Sequence, residues 1–126
     1  MAKAEPTARQ RLDAERARLA ALREDVAERV ADEQASRGEE LSHLDQHPAE
    51  QGTETEDLET ALSLLEQLDG ELADLDDAYA RLEAGTYGRC EVCGRQIGEA
   101  RLEALPAARR CTEHQVAAET SRGPVA

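Results

Sequence analysis

From Leu58 to Leu82 the apolar residues fall at alternating steps of three and four: Leu58, Ala61, Leu65, Leu68, Leu72, Leu75, Tyr79 and Leu82. That unbroken spacing is the heptad signature of a helix packed along a second helix. Upstream, Leu12, Leu19, Leu22, Val26, Val30, Leu41 and Leu44 form a thinner stripe, interrupted by Arg29 and Arg37. It predicts one long helix from about Pro6 to Leu44. Pro48 cannot continue that helix, and it pushes His47 toward extended geometry. The stretch DQHPAEQG therefore reads as a loop. A second helix is expected to open at Thr53, where Thr53 and Glu56 make a capping-box pattern. Gly85, just past the last seam residue, is its expected stop.

Heptads on their own often mean dimerisation, but the break at Pro48 between two seams favours an intramolecular hairpin. The fold class expected is all-α: an antiparallel helical hairpin over 1–85, with helices near 7–46 and 54–84, then a zinc finger and terminal helix over 86–126. At 1.5 Å per residue, roughly 30 paired residues would make a rod on the order of 45 Å. The loop at about 45–53 would be its tip.

Composition agrees with helices and excludes several functions. The 126 residues include no Phe, no Trp and two Tyr, so a compact core would have to be filled from Leu, Ala and a few Val. Charged residues make up 34% of the chain, a mixture typical of long helices and coiled coils. The formal net charge of −13 argues against direct binding to nucleic acid, which is driven by Lys and Arg at phosphates. No Lys or Arg lies between Arg37 and Arg81, whereas Arg9, Arg11, Arg16, Arg18, Arg23 and Arg29 precede that interval. A basic-leaning helix followed by an acidic one suits antiparallel neighbours, although any single charge also serves plain solubility. No apolar run approaches the roughly 20 residues of a membrane span, and the first residues lack the apolar core of a signal peptide. The expected location is the cytoplasm, where three cysteines suggest metal or thiol chemistry before disulfides.

The stretch CEVCG places Cys90 and Cys93 with two residues between them and Gly94 after them; after seventeen intervening residues come Cys111 and then His114, again with two between. Two knuckle-spaced pairs at zinc-ribbon separation, with four ligands and no open position, describe one structural Zn²⁺. A lone CxxC is also a redox motif, but that reading needs a βαβ context, of which there is no sign. Taken singly, Cys111 could be a buried thiol and His114 a surface histidine. The part after Gly85 is too short to fold on hydrophobic burial, and metal binding can supply that stability.

The segment YGRCEVCGRQIGEARLEALPAARRCTEH resembles the zinc module of the TraR/DksA proteins of bacteria. The matching features are Tyr87-Gly88, the knuckle, Ile97-Gly98, Arg101 to Ala104, Pro106 and the final ligand pair. The stretch LDQHPAEQGTETE is similar to the tip of the family's shorter members, and the resemblance covers roughly residues 41–115. It implies a monomeric cytoplasmic regulator that binds RNA polymerase rather than DNA or membrane. Its coiled coil would enter the secondary channel, and an acidic tip would act toward the catalytic magnesium. The tip residues implied are Asp45, His47, Glu50 and Gly52. Glu50 falls where the family carries a functional Asp, Gly52 where it carries Ala, and His47 where it carries an acidic residue. His114 replaces the family's usual last Cys.

No other group of residues suggests catalysis. His43 and His47 flank Asp45, but without a second ligand pair they read as surface histidines. The carboxylates lie on solvated helices and lack the burial that shifts a pKa for catalysis. The chain reads as a non-enzyme. A zinc-stabilised coiled-coil adaptor and a thiol/zinc redox sensor stand as alternatives to the polymerase regulator.

Overall fold

The computed structural model of the chain describes residues 7–41 and 48–121. In chain order these form α1 (Ala8–Leu41), α2 (Pro48–Ala84), α3 (Glu99–Ala104) and α4 (Thr112–Ser121). Among the described residues there is no strand, only an isolated antiparallel bridge between Arg89 and Gln96. The chain divides into two compact units, one of residues 17–72 and one of residues 1–16 with 73–126.

The start of α1 and both ends of α2 have identifiable causes. At the start of α1, Thr7 Oγ1 accepts from the Gln10 backbone N–H at 3.1 Å, and Gln10 Oε1 accepts from the Thr7 N–H at 2.8 Å. This reciprocal capping box satisfies two donors that a bare helix end would leave open. Helix α2 opens at Pro48, ahead of the expected start at Thr53. Proline stops a preceding helix but suits the first position of a new one, where its fixed φ fits and no N–H is needed. Thr53 thus lies inside α2, and residues 48–53 are helical instead of forming the far side of a loop. Helix α2 ends where expected. The Thr86 N–H reaches the Arg81 carbonyl at 2.8 Å, the Gly85 N–H reaches the Leu82 carbonyl at 3.2 Å, and Gly85 has φ 79°. That is a Schellman stop, with glycine in the left-handed conformation a side chain would resist.

In the unit of residues 17–72, Leu19, Val26 and Val30 of α1 and Leu58 and Leu68 of α2 are buried. Arg23 of α1 forms an ion pair with Asp69 of α2, which sets an antiparallel register. Leu22 departs from the expected seam: it is 39% exposed.

In the other unit, Leu12, Leu75 and Ala78 are buried. Arg16 Nη1 meets Asp76 Oδ1 at 2.6 Å, and the Tyr79 hydroxyl donates to Asp13. The guanidiniums of Arg9 and Arg16 lie 5.7 and 5.8 Å from the Tyr79 ring centre. Arg11 Nη1 binds Glu99 Oε2 of α3 at 2.8 Å. These pairs are largely exposed and contribute register more than energy.

Candidate metal centre

The first ligand pair sits on a tight backbone loop built from its own hydrogen bonds. The Ile97 N–H reaches the Gly88 carbonyl and the Cys90 N–H the Arg95 carbonyl, each at 2.8 Å, and the Gly94 N–H reaches the Cys90 carbonyl at 2.9 Å. Gly94, at φ 73°, makes the turn that a Cβ would strain. Gly88 is also left-handed, and a Cβ there would lie 3.4 Å from the buried Leu102 side chain, so the loop packs closely on α3.

The second pair begins at the end of a strap over residues 106–110. The Tyr87 hydroxyl donates to the Pro106 carbonyl at 2.8 Å. Arg81 Nη2 and Nη1 donate to the carbonyls of Ala107 and Ala108, each at 3.3 Å. The Glu91 N–H reaches the Arg109 carbonyl at 2.8 Å, and Arg101 Nε reaches that of Arg110 at 3.1 Å. Cys111 follows at once, and the first turn of α4 carries His114 back over it.

The structure brings Cys90, Cys93, Cys111 and His114 together, with their ligand atoms all within 4.8 Å of one another. His114 Nδ1 lies 3.1 Å from Cys111 Sγ and 3.6 Å from Cys90 Sγ. Zinc bonds of about 2.3 Å to sulfur and 2.0–2.1 Å to nitrogen in a tetrahedron give a sulfur–nitrogen edge of about 3.6 Å. The donor set therefore fits one Zn²⁺, and these four residues are positioned to hold it. Cys90 is 3% exposed. Its burial opposes ionisation, but backbone N–H groups of Cys111, Cys93 and Val92 aimed at its sulfur outweigh that, and its pKa is lowered to about 6. Cys93 moves the other way. The Arg95 N–H favours its thiolate, but burial and the Cys90 and Cys111 sulfurs raise its pKa. Three clustered thiols that cannot all ionise without repulsion are the situation a divalent cation relieves.

Of the residues expected at the tip, Asp45 and His47 lie outside the described residues. Glu50 and Gly52 fall in the first turns of α2. The hydrogen-bond donors to the strap were not foreseen. Tyr87 and Arg101 stood out only as motif positions, and Arg81 carried no signal beyond being a late helical arginine.

Residues 85–115 match the family described as prokaryotic dksA/traR C4-type zinc finger. The fold of nearly the whole chain is similar to the structure of transcription factor DksA2 from Pseudomonas aeruginosa. That match covers 89% of this chain and 85% of the other, at 28% identity and a TM-score of 0.54. The chain therefore carries a zinc finger of the dksA/traR type, on a fold similar to that of DksA2. It is 48% identical over 44 residues to the RNA polymerase-binding transcription factor DksA of Caulobacter vibrioides, 35% of this chain and 31% of that one. It is 41% identical over 75 residues to the protein YteA of Bacillus subtilis, 60% of this chain and 31% of that one. The chain spans half or less of the length of the curated relatives it matches. The matched family is described as C4-type, and the fourth position here is His114. Zinc accepts a Cys3His set as readily as four thiolates.

Proposed function

We propose that this DksA/TraR-type regulator binds RNA polymerase and acts through its secondary channel, without enzymatic activity of its own. The observation that carries the reading is the likeness to DksA2, which takes in the helical hairpin and the zinc module together. Charge supports it. Sixteen Asp and Glu against four Arg between residues 17 and 72 give that interval a formal −12, nearly the whole −13 of the chain. So concentrated a negative surface suits a basic, nucleotide-conducting passage in a protein partner and repels nucleic acid. No helix among the described residues is long and apolar enough to cross a membrane. The reading places the protein in the cytoplasm as a monomer, with Asp45, His47, Glu50 and Gly52 as the segment that acts on the partner and the zinc module holding the hairpin's base. Affinity-tagged protein incubated with purified core RNA polymerase should co-elute with it, and the yield should fall as salt rises. No co-elution at low salt would sink the proposal.

A further inference from the structure

The five consecutive carbonyls of the strap, Pro106 to Arg110, all accept hydrogen bonds from outside it: from Tyr87, twice from Arg81, from the Glu91 N–H and from Arg101. The strap also reaches back to α2. Arg109 Nη2 contacts Asp74 Oδ1 at 2.8 Å and Asp77 Oδ2 at 3.1 Å. Asp74, Asp77 and Arg81 are spaced i, i+3, i+7 and so share one face of α2. Arg81 stands between the two halves of the metal site. Its side chain holds the strap that ends at Cys111. Its own carbonyl accepts from the Thr86 and Tyr87 N–H groups at 2.8 and 3.1 Å, at the start of the segment leading to Cys90.

We infer that Arg81 is a positioning residue for the metal centre, and that metal occupancy and order in the last turns of α2 stabilise each other. The physical reason is the setting of the guanidinium. It is partly buried, its bonds to other elements go to backbone carbonyls, and burial with Arg109 nearby disfavours its charged form. A cation withdrawn from water is tolerable only while its acceptors stay in place. Those acceptors lie on a strap whose far end is fixed by Cys111 and His114. Without the metal, the three thiols and the imidazole lose their common partner, the strap loosens, and Arg81 loses its acceptors. Without Arg81, the second ligand pair loses its tie to α2. Linkage makes the two effects reciprocal. Groups behind metal ligands commonly matter in this way.

The test uses the full chain loaded with Zn²⁺ and follows metal release to a chromogenic chelator. Arg81→Met should release zinc about 10-fold faster or more. Arg81→Lys should fall between, because an ammonium cannot serve two carbonyls in the fork geometry of a guanidinium. Arg29→Met, an exposed site on α1, should match wild type. With Co²⁺ in place of Zn²⁺, the absorption bands of Arg81→Met should keep their positions, since the four ligands are unchanged. Release at the wild-type rate, or loss of the cobalt–thiolate band, overturns the positioning role. Should Arg81→Met fail to fold, hydrogen exchange on the wild type decides. Removing zinc should lower amide protection over 74–84 together with 106–114, and unchanged protection over 74–84 refutes the linkage.

Discussion

Cys93 is the ligand whose loss is cleanest to interpret, because it is exposed where Cys90 is buried. Cys93→Ser should abolish stoichiometric zinc and unfold the residues after Gly85, read by metal analysis and by loss of amide dispersion there. A variant that keeps one zinc per chain would remove the proposed site. Tyr87 is the complementary case, a residue that touches no ligand. Tyr87→Phe deletes the donor to the Pro106 carbonyl and leaves that acceptor without its partner. It should cost about 1 kcal/mol in urea unfolding of the zinc-loaded protein. Asp69 illustrates a smaller effect. Hydrogen bonding from Arg23 lowers its pKa below the ordinary carboxylate value. The stability it adds is present above the usual carboxylate pKa and fades as pH falls through the lowered one. Asp69 is exposed, so that contribution is small.

At the scale of elements, Gly70 is a weak point in the interior of α2. A glycine inside a helix costs roughly 0.5–1 kcal/mol relative to alanine, and a Cβ at Gly70 would meet nothing within 4 Å. Gly70→Ala should therefore stabilise the protein by about that amount, seen as a higher midpoint in thermal unfolding followed by helical circular dichroism; an unchanged or lower midpoint would count against the account. Leu22 shows what a seam does and does not reveal. The three-four spacing located α2, a thinner stripe located α1, and Gly85 located the end of α2, because helix stops and heptads are written in side chains. Leu22 fits the spacing as well as Leu19 does, yet its exposure depends on what the facing helix presents at that level. Pro48 bars the continuation of one helix and equally begins another, and its residue type does not say which. Thr7 and Gln10 have the spacing of a capping box, just ahead of the stripe that begins at Leu12. The four metal ligands were legible because thiolates and imidazole at knuckle spacing have few other uses. The strap was not, since its acceptors are backbone carbonyls that every residue possesses.

For the whole molecule, the functional question turns on where the charge lies. The acids of residues 17–72 greatly outnumber the arginines there, and described acids that meet a base, such as Asp69, already use it. The proposed acting segment, from Asp45 to Gly52, contains no Lys or Arg at all. Under the proposed function, Asp45 and Glu50 work by electrostatics near the partner's catalytic magnesium, and the rest of the chain supplies affinity. The two roles should separate on mutation. Asp45→Asn combined with Glu50→Gln removes two charges out of a large surplus, so binding to core polymerase should stay within a few-fold of wild type. The effect on initiation should disappear, because interaction with a metal-centred site depends on the local carboxylates and falls off within about 10 Å at ordinary salt. The measurement is a pair of titrations, one of polymerase binding and one of transcript yield from a promoter that forms short-lived open complexes. If wild type alters yield and the double variant alters it equally, the segment's acids only keep the protein soluble. The regulatory contact must then lie elsewhere on the chain.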